Sequence, residues 1–367
     1  MAGSDYGTIF KITTWGESHG KGLGVVADGC PAGIPLDESM IQEYLDRRKP
    51  GQSKYTTPRK ESDQVEILSG VFEGKTTGTP ISMMVRNENQ KSKDYSEIAS
   101  YYRPGHADFT FDAKYGFRDY RGGGRSSGRE TIGRVAGGAI ASLFLKQLGI
   151  HITAYTKSIG PIHCNMADFN AREILNNRVC MPDAQAAKRA ADYLDQCMAE
   201  KNSCGGIIEC VITGVPAGIG DPVFEKLDAN LAKAIFSIGA VKGFEIGDGF
   251  LAADATGLTN NDAFCTDDQG NISKKTNHAG GILGGISDGS PIIFRAAIKP
   301  TPSIGAPQQT VRTDGTPITV EIKGRHDPII VPRAVVVVET MTALTLADMI
   351  LKNMSADNRK ILDFYQK

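Results

Sequence analysis

The spacing of apolar residues predicts several helices along the chain. The clearest begins after Ser127, which can form a capping box with Glu130, and apolar residues then recur on one face of residues 132–144. Gly149 is a predicted end of this helix. The same spacing predicts three further helices: one capped by Asp37 and stopped by Pro50, one at about 184–201 and one at about 340–353.

Shorter runs of alternating apolar and polar residues predict strands, at 65–72, 80–85, 206–215, 291–298, 318–322 and 329–338. Such alternation is typical of antiparallel sheets that are covered on one face. Strands and helices do not alternate regularly, so a doubly wound parallel sheet is not expected. The pattern favours an α+β protein.

Length and charge narrow the class of protein. A chain of 367 residues exceeds the roughly 250–300 residues of a single growing core, so we expect two cores or one large layered domain. With 40% hydrophobic and 23% charged residues, the chain is expected to fold. The net charge of −1 argues against nucleic-acid coating or membrane-surface binding, and without 18 consecutive apolar residues we expect no membrane span.

Cysteine usage and the N-terminal residues indicate a cytoplasmic protein. The seven cysteines are an odd number and include no C-x-x-C pair, which argues against a zinc site, any similar metal site, or a disulfide framework. Free thiols suit a reducing compartment. The first ten residues lack the apolar segment of a secretory signal.

His19 is the first candidate for chemistry. It lies in residues 13–26 among four glycines, and an imidazole with an ordinary pKa of ~6.5 can donate a proton near neutral pH. A histidine in a tight turn is the structural alternative. Gly22, Gly24 and Ala27 resemble a dinucleotide fingerprint, which we discount because the preceding strand and following helix are missing from the pattern.

Residues 101–131 are the most informative segment. His106 follows Pro104 and Gly105, and the triple glycine 122–124 leads into the helix that begins near Ser127. Five arginines surround these features, at Arg103, Arg118, Arg121, Arg125 and Arg129. Unpaired N–H groups at a helix start, together with arginines, favour a phosphate or carboxylate site over a capped helix with solvated arginines.

Three other polar segments are individually weaker signals. Residues 47–60 carry six cations and no acid, which by itself favours a solvated surface over an anion funnel. Residues 276–289 and 298–304 combine paired glycines with Lys299, Thr301 and Ser303, a cradle for a flat or phosphorylated ligand or else ordinary turns. Residues 324–334 place charged side chains in a predicted turn. Together the segments indicate an enzyme acting on a small phosphorylated acid, with a bound cofactor as a further possibility.

Four segments resemble the signatures of chorismate synthases: residues 15–24, 103–131, 277–287 and 325–334. The resemblance covers essentially the whole chain, in order and at similar spacing, and is to bacterial-type members without large insertions. It implies a 1,4-anti elimination that converts 5-enolpyruvylshikimate 3-phosphate to chorismate and phosphate with reduced FMN, the last step of the shikimate pathway. It also implies one domain over residues 1–367, a layered β-α-β sandwich with helices between antiparallel sheets, and a homotetramer.

The resemblance also implies roles for individual residues. His19 would act as an acid toward the departing phosphate, His106 would keep the reduced flavin suitably protonated, and Asp327 would assist proton movement at flavin N5. The implied substrate-binding residues are Arg48, Lys54, Arg103, Arg129 and Arg325. The implied FMN-binding residues are Arg125, Ser126, Ser127, Gly239, Ala240, Gly284, Lys299, Thr301, Ser303 and Arg325. Three residues depart from the family pattern, in which Arg, Ala and Asn are common at the positions of Lys54, Gly128 and Gly239.

The possible functions differ in the source of their reducing equivalents. Some family members reduce their flavin with NADPH, but the chain has no clear nicotinamide fingerprint, so we expect an external flavin reductase and only an indirect role for NADPH. The rival hypotheses are an NAD(P)H-dependent flavoprotein oxidoreductase acting on a small phosphorylated acid, and a non-catalytic protein that binds a phosphorylated metabolite.

Overall fold

The structure is a computed structural model that describes residues 3–56, 61–88, 97–322 and 327–366. Its α-helices are α1 (Glu38–Arg48), α2 (Asp108–Tyr115), α3 (Thr131–Gln147), α4 (Glu173–Asn176), α5 (Ala184–Ala199), α6 (Leu227–Phe236), α7 (Gly257–Asn260), α8 (Val331–Asn353) and α9 (Asn358–Tyr365).

The strands are short and pair antiparallel. In chain order they are β1 (Asp5–Tyr6), β2 (Lys11–Gly16), β3 (Gly22–Asp28), β4 (Val65–Ile67), β5 (Val71–Phe72), β6 (Lys75–Thr76), β7 (Ile81–Arg86), β8 (His151–Ile159), β9 (Ile162–His163), β10 (Gly206–Thr213), β11 (Val241–Ile246), β12 (Phe264–Thr266), β13 (Ile272–Lys274), β14 (Ile282–Leu283), β15 (Ile286–Ser287), β16 (Ile292–Ile298), β17 (Gln308–Val311) and β18 (Pro317–Val320). One five-stranded sheet has the order β1-β2-β3-β7-β4 and a second has the order β11-β16-β10-β8-β9.

Helices fill the space between the two large sheets. Helix α3 packs on β2, β3 and β7 of the first sheet, helix α8 packs on β8 and β10 of the second, and the two helices pack on each other. The predicted α+β class and the layered β-α-β arrangement are therefore confirmed. Strand β16 shows that one face of the second sheet is covered, because its alternate residues Ile292, Phe294 and Ala296 are fully buried.

Helix α8 is the central element of the core. By length and composition it could cross a membrane, but 89% of its apolar window is buried inside this protein. Its buried Thr340, Thr342 and Thr345 donate hydroxyl hydrogen bonds to carbonyls one turn earlier, so their polar groups are satisfied within the helix. These contacts identify α8 as a core helix.

The predicted strand at 329–338 is wrong, because Val331–Asn353 forms one continuous helix. Pro332 occupies the first turn of this helix, where its missing N–H costs nothing, and four successive valines pack between the layers. The β-branched side chains favoured a strand locally, but burial on all sides of a long helix outweighs that preference.

Other predicted elements are confirmed with corrections. The predicted strand at 65–72 is two strands, β4 and β5. Ser127 caps a short 3-10 turn by accepting from Arg129 N–H, but the Glu130 side chain accepts from Thr14 Oγ1 and Arg134 Nε, so the capping box does not form. The dinucleotide-like glycines lie within strand β3, as regular sheet residues.

Candidate active site

His19 lies in the turn between β2 and β3 and rests against bare backbone. Its Nδ1 is 3.0 Å from Ser18 Oγ, and Ser18 is buried. On the other side lies Gly122, where a Cβ would come within 2.6 Å of His19 Cε1. The backbone of Gly122 has φ +92°, a left-handed conformation that favours glycine. A glycine is therefore required there for the imidazole to keep its place.

Arg103 connects this histidine to the second one. Its guanidinium donates to Gly122 O at 3.2 Å and binds Asp108 through two hydrogen bonds of 2.8 and 2.7 Å. The N–H of His106 donates to Arg103 O at 3.2 Å. Burial would raise the pKa of Asp108, but the hydrogen bonds from Arg103 outweigh it and lower that pKa. His19, Gly122, Arg103 and His106 thus follow one another through direct contacts.

The ring of His106 contacts the segment that follows β16. His106 Nε2 is 2.7 Å from Ser303 Oγ, and Lys299 Nζ donates to Gly105 O at 2.9 Å. The N–H of Lys299 donates to Ala240 O at 2.9 Å. Three of the predicted flavin-contact residues are therefore assembled around this histidine.

Thr301 belongs to the same segment and carries an unsatisfied hydroxyl. Its carbonyl accepts from Ser203 Oγ at 2.6 Å, which fixes the backbone. Its Oγ1 is buried and has no hydrogen-bond partner among the residues that the structure describes. Unsatisfied buried polar atoms are uncommon in native proteins and often mark a missing ligand or water.

The predicted glycine contacts lie at opposite ends of α6. Gly239 follows the end of that helix, whereas the neighbour of Gly284, Gly285, accepts from the N–H of Leu227 at its start. Ten helical residues span about 15 Å, so one chain does not bring these two glycines together. A Cβ at either position would meet no atom within 4 Å, so the backbone of both is open.

Arg125, Ser126 and Ser127 form the turn before α3. The Arg125 guanidinium donates to Gly16 O at 3.1 Å and to Thr14 Oγ1 at 2.7 Å, so it fixes strand β2. Ser126 Oγ donates to Gly123 O at 2.7 Å, which closes the triple-glycine turn beside His19.

Arg48 and Arg129 form a buried cluster around Asp63. Arg48 is 1% exposed and donates to Asp63 Oδ2, while Arg129 is 6% exposed and donates to Asp63 Oδ1 at 3.0 Å. Burial lowers the pKa of the Arg48 guanidinium to about 10; Asp63 opposes this shift, and the charges of Arg333 and Arg129 add to it. The C-terminal end of α1 and the turn before α3 thereby present two guanidiniums at one place.

Asp327 joins this cluster through Arg333. Arg333 donates to Asp327 Oδ2 at 2.9 Å and to the Arg48 carbonyl at 3.0 Å. Lys54 is placed elsewhere, in a largely exposed ion pair with Asp195 of α5 at 2.8 Å. Arg325 lies outside the described residues.

Sequence reasoning did not identify Asp63 or Arg333. A signal for Asp63 was available, because Glu61 and Asp63 directly follow the six cations of residues 47–60, and a buried cation requires an acid nearby. Chemically, the arrangement offers guanidiniums for an anionic ligand and two imidazoles for proton transfer to or from it.

Known proteins resemble this chain along essentially its whole length. The profile of the chorismate synthase family matches residues 10–351. The chain is 72% identical to chorismate synthase of Agathobacter rectalis and 68% identical to that of Lachnoclostridium phytofermentans, over the full length of both chains in each case. It is 53% identical to the enzyme of Chloroflexus aggregans over 97% of both chains. A crystal structure of chorismate synthase superimposes with a TM-score of 0.77 at 30% identity, covering 98% of each chain.

Proposed function

The chain belongs to the chorismate synthase family, and we propose how its residues carry out the family's reaction. The protein is a carbon–oxygen lyase of the last shikimate-pathway step, which converts 5-enolpyruvylshikimate 3-phosphate to chorismate and phosphate. The elimination removes phosphate and a ring hydrogen, so the protein must bind a multiply charged anion and manage two proton movements.

Reduced FMN is the proposed cofactor, and several features of this chain fit it. The open backbone at Gly239 and Gly284 leaves room for a flat ring system, and the unsatisfied Thr301 hydroxyl offers it a hydrogen bond. Lys299, Ser303 and the Arg125–Ser127 turn are the further proposed contacts. When bound, reduced FMN would supply electron density transiently without a net redox change. Since Gly239 and Gly284 lie apart in one chain, we propose that a second subunit completes the set of FMN contacts.

Substrate binding is assigned to the guanidiniums. Arg48 and Arg129 are held as a buried pair, and buried guanidiniums bind phosphate and carboxylate strongly because water does not compete. Arg103 would contribute from beside His19. Lys54 and Arg325 remain proposed contacts from the flanking segments, Lys54 requiring release from its exposed pair with Asp195.

Proton transfer is assigned to His19, His106 and Asp327. His19 is the proposed acid that protonates an oxygen of the departing phosphate, with Ser18 Oγ orienting its Nδ1. His106 would hold a proton at Nε2 beside Ser303 Oγ, and the Asp327 carboxylate, anchored by Arg333, would accept and pass on a proton.

Assembly and location are proposals as well. Large exposed apolar side chains, including Phe224, Phe250 and Leu258, support association into the expected homotetramer. The seven cysteines are all free thiols, which supports a reducing cytoplasm. We propose that a separate flavin reductase supplies the reduced cofactor, with NADPH acting only indirectly.

The observation that carries the proposal is the contact sequence from His19 through Gly122 and Arg103 to His106. The test is anaerobic incubation of the protein with reduced FMN and 5-enolpyruvylshikimate 3-phosphate. The lyase releases phosphate over many turnovers without consuming reductant. One NADPH oxidised per product would indicate the oxidoreductase, and binding without turnover would indicate a metabolite-binding protein.

A further inference from the structure

Asp63 is a fully buried carboxylate that lies between the two guanidiniums. Its carboxylate is 0% exposed, and its two oxygens accept from different arginines, Oδ2 from Arg48 and Oδ1 from Arg129. Its backbone has φ +47°, a conformation that most residues avoid. The chain therefore holds this carboxylate in place at a conformational cost.

Each of the two arginines has one guanidinium nitrogen without a hydrogen-bond partner among the residues that the structure describes. Arg48 Nη1 lies 3.4 Å from Gly128 O and 3.5 Å from Thr131 Oγ1, but Arg48 Nε has no hydrogen-bond partner within the described ranges. Arg129 Nε donates to Asn87 Oδ1 at 3.0 Å, but its Nη2 has no hydrogen-bond partner there either, with Glu61 Oε2 at 3.9 Å. Two buried guanidinium nitrogens therefore have no hydrogen-bond partner among the described residues, although the carboxylates of Asp63 and Glu61 lie beside them. Buried donors of this kind are suited to bind an anion.

We propose that Asp63 is a positioning residue, which holds Arg48 and Arg129 together so that their remaining N–H groups grip the anionic substrate. This inference rests on the proposed function and adds a residue to it. Two adjacent guanidiniums repel each other, and a carboxylate bonded to both removes most of that repulsion. Because the two arginines come from α1 and from the turn before α3, the carboxylate also fixes the distance between these elements.

Steady-state kinetics of Asp63→Asn test the proposal. Asparagine keeps the shape but loses the charge, and it presents an NH2 group to one of the arginines. We expect the KM for 5-enolpyruvylshikimate 3-phosphate to rise about 10- to 100-fold, the usual worth of a charged hydrogen bond, while kcat changes little. Asp183→Asn is the matched control. Asp183 is also buried, but its hydrogen bonds among the described residues come from backbone N–H groups, two at the start of α5 and one from Asn165.

A double-mutant cycle separates positioning from general stability. If Asp63 acts through the arginines, Asp63→Asn should raise KM less in an Arg129→Ala background than in the wild type. The effects of substitutions at interacting residues are not additive. Melting temperatures of all variants show whether loss of fold accounts for the change. If Asp63→Asn does not fold, Asp63→Glu replaces it: the charge is kept but displaced by one methylene, and KM should again rise.

Several results would overturn the inference. An unchanged KM in the folded Asp63→Asn variant would contradict the positioning role. A lower KM would also contradict it, because it would mean that Asp63 competes with the substrate anion for the arginines. Fully additive effects in the cycle would make its role structural only. Failure of the wild-type protein to release phosphate is a different outcome, since it would reject the proposed function before any variant is compared.

Discussion

Gly122 shows how a single missing side chain positions His19. Its left-handed backbone brings it so close that a Cβ would come within 2.6 Å of His19 Cε1 and 2.7 Å of Nδ1. Proton transfer needs accurate distances, and a displacement of about 1 Å can cost roughly 100-fold in rate. The missing side chain of Gly122 and the hydrogen bond to Ser18 therefore both position the histidine.

Gly122→Ala should lower turnover about 100-fold, because the new methyl group displaces the imidazole of His19. Gly116→Ala is the matched control: Gly116 has a similar φ of +80°, but a Cβ there meets no atom within 4 Å. Backbone strain should lower the melting temperature of both variants by a comparable amount. Equal activity of the two variants would show that the contact does not matter.

The two histidines themselves should each contribute proton transfer. His19→Ala and His106→Ala are expected to lower kcat by roughly 10²–10⁴-fold, the usual effect of removing a positioned acid or base. His163→Ala, at an exposed position of β9, provides the comparison and should retain wild-type turnover. The measurement is anaerobic phosphate release at saturating substrate. Near-normal rates in both active-site variants would remove the histidines from the mechanism.

At this scale the sequence predicted donors better than it predicted their partners. His19, His106 and Arg103 were identifiable because glycines or prolines adjoin them in the chain. Asp63 was not, because a counter-ion is chosen by three-dimensional proximity, and its arginines lie 15 and 66 residues away. Lys54, from the same basic segment, pairs with Asp195 of a separate helix, and its role as a substrate contact stays a prediction.

At the scale of elements, Asp262 organises the loop that precedes β14. It accepts from His278 N–H at 2.8 Å, Ala279 N–H at 3.0 Å and Thr276 Oγ1 at 2.7 Å, and it pairs with buried Lys274. Burial would raise the pKa of Asp262, but these hydrogen bonds outweigh it and hold that pKa well below its ordinary value. Because the folded pKa is depressed, the stabilisation is complete above the ordinary pKa and is lost as pH falls below it.

Asp262→Asn should therefore reduce the free energy of unfolding at pH 7 by about 1.5–3 kcal/mol, the range for hydrogen bonds to a charged group. The difference from wild type should shrink as the pH is lowered below about 4, where the unfolded carboxylate takes up a proton. Urea unfolding at several pH values measures both effects. Asp267→Asn, in the exposed turn of the adjacent β12–β13 hairpin, should cost less. A difference independent of pH would contradict the assignment.

Element prediction succeeded where a local pattern agreed with its surroundings. Helix α1 begins after Asp37, whose side chain caps it by accepting from Met40 N–H at 3.1 Å. Helix α5 begins after Asp183, whose side chain caps it in the same way. The prediction for the start of α8 was wrong because its four successive valines favour a strand locally, and only their burial between two layers makes them helical. Long-range packing, which leaves no local trace, decided that element.

At the scale of the whole molecule, the two sheets share one core. Residues of the first sheet such as Ile12 and Val25, and of the second such as Phe294, belong to a single buried cluster with α3 and α8. This continuity supports our proposal that residues 1–367 form one domain. The site described above depends on it, because Arg48, Arg129 and Arg333 each project from a helix terminus at the rim of that helical layer.

The distance between α3 and α8 determines the thickness of this layer, and Gly138 determines how closely the two helices approach. A Cβ at Gly138 would lie 2.5 Å from both Cβ and the carbonyl oxygen of Thr340 on α8. By helix propensity alone, Gly138→Ala should stabilise the protein by about 1 kcal/mol. We expect the opposite, a loss of about 1–3 kcal/mol, because backbone atoms of α8 must move to admit the methyl group.

Gly137→Ala supplies the comparison on the same helix, since its Cβ would meet Ile12 Cγ2 at 2.8 Å, the end of a side chain that can shift. Urea unfolding should therefore rank wild type as most stable, Gly137→Ala next and Gly138→Ala last. Separation of the helices would also move the arginine-bearing termini apart, so Gly138→Ala should raise the KM for the phosphorylated substrate. A stabilised Gly138→Ala variant would mean that α3 and α8 do not approach this closely, and the layered geometry that joins the arginines would need revision.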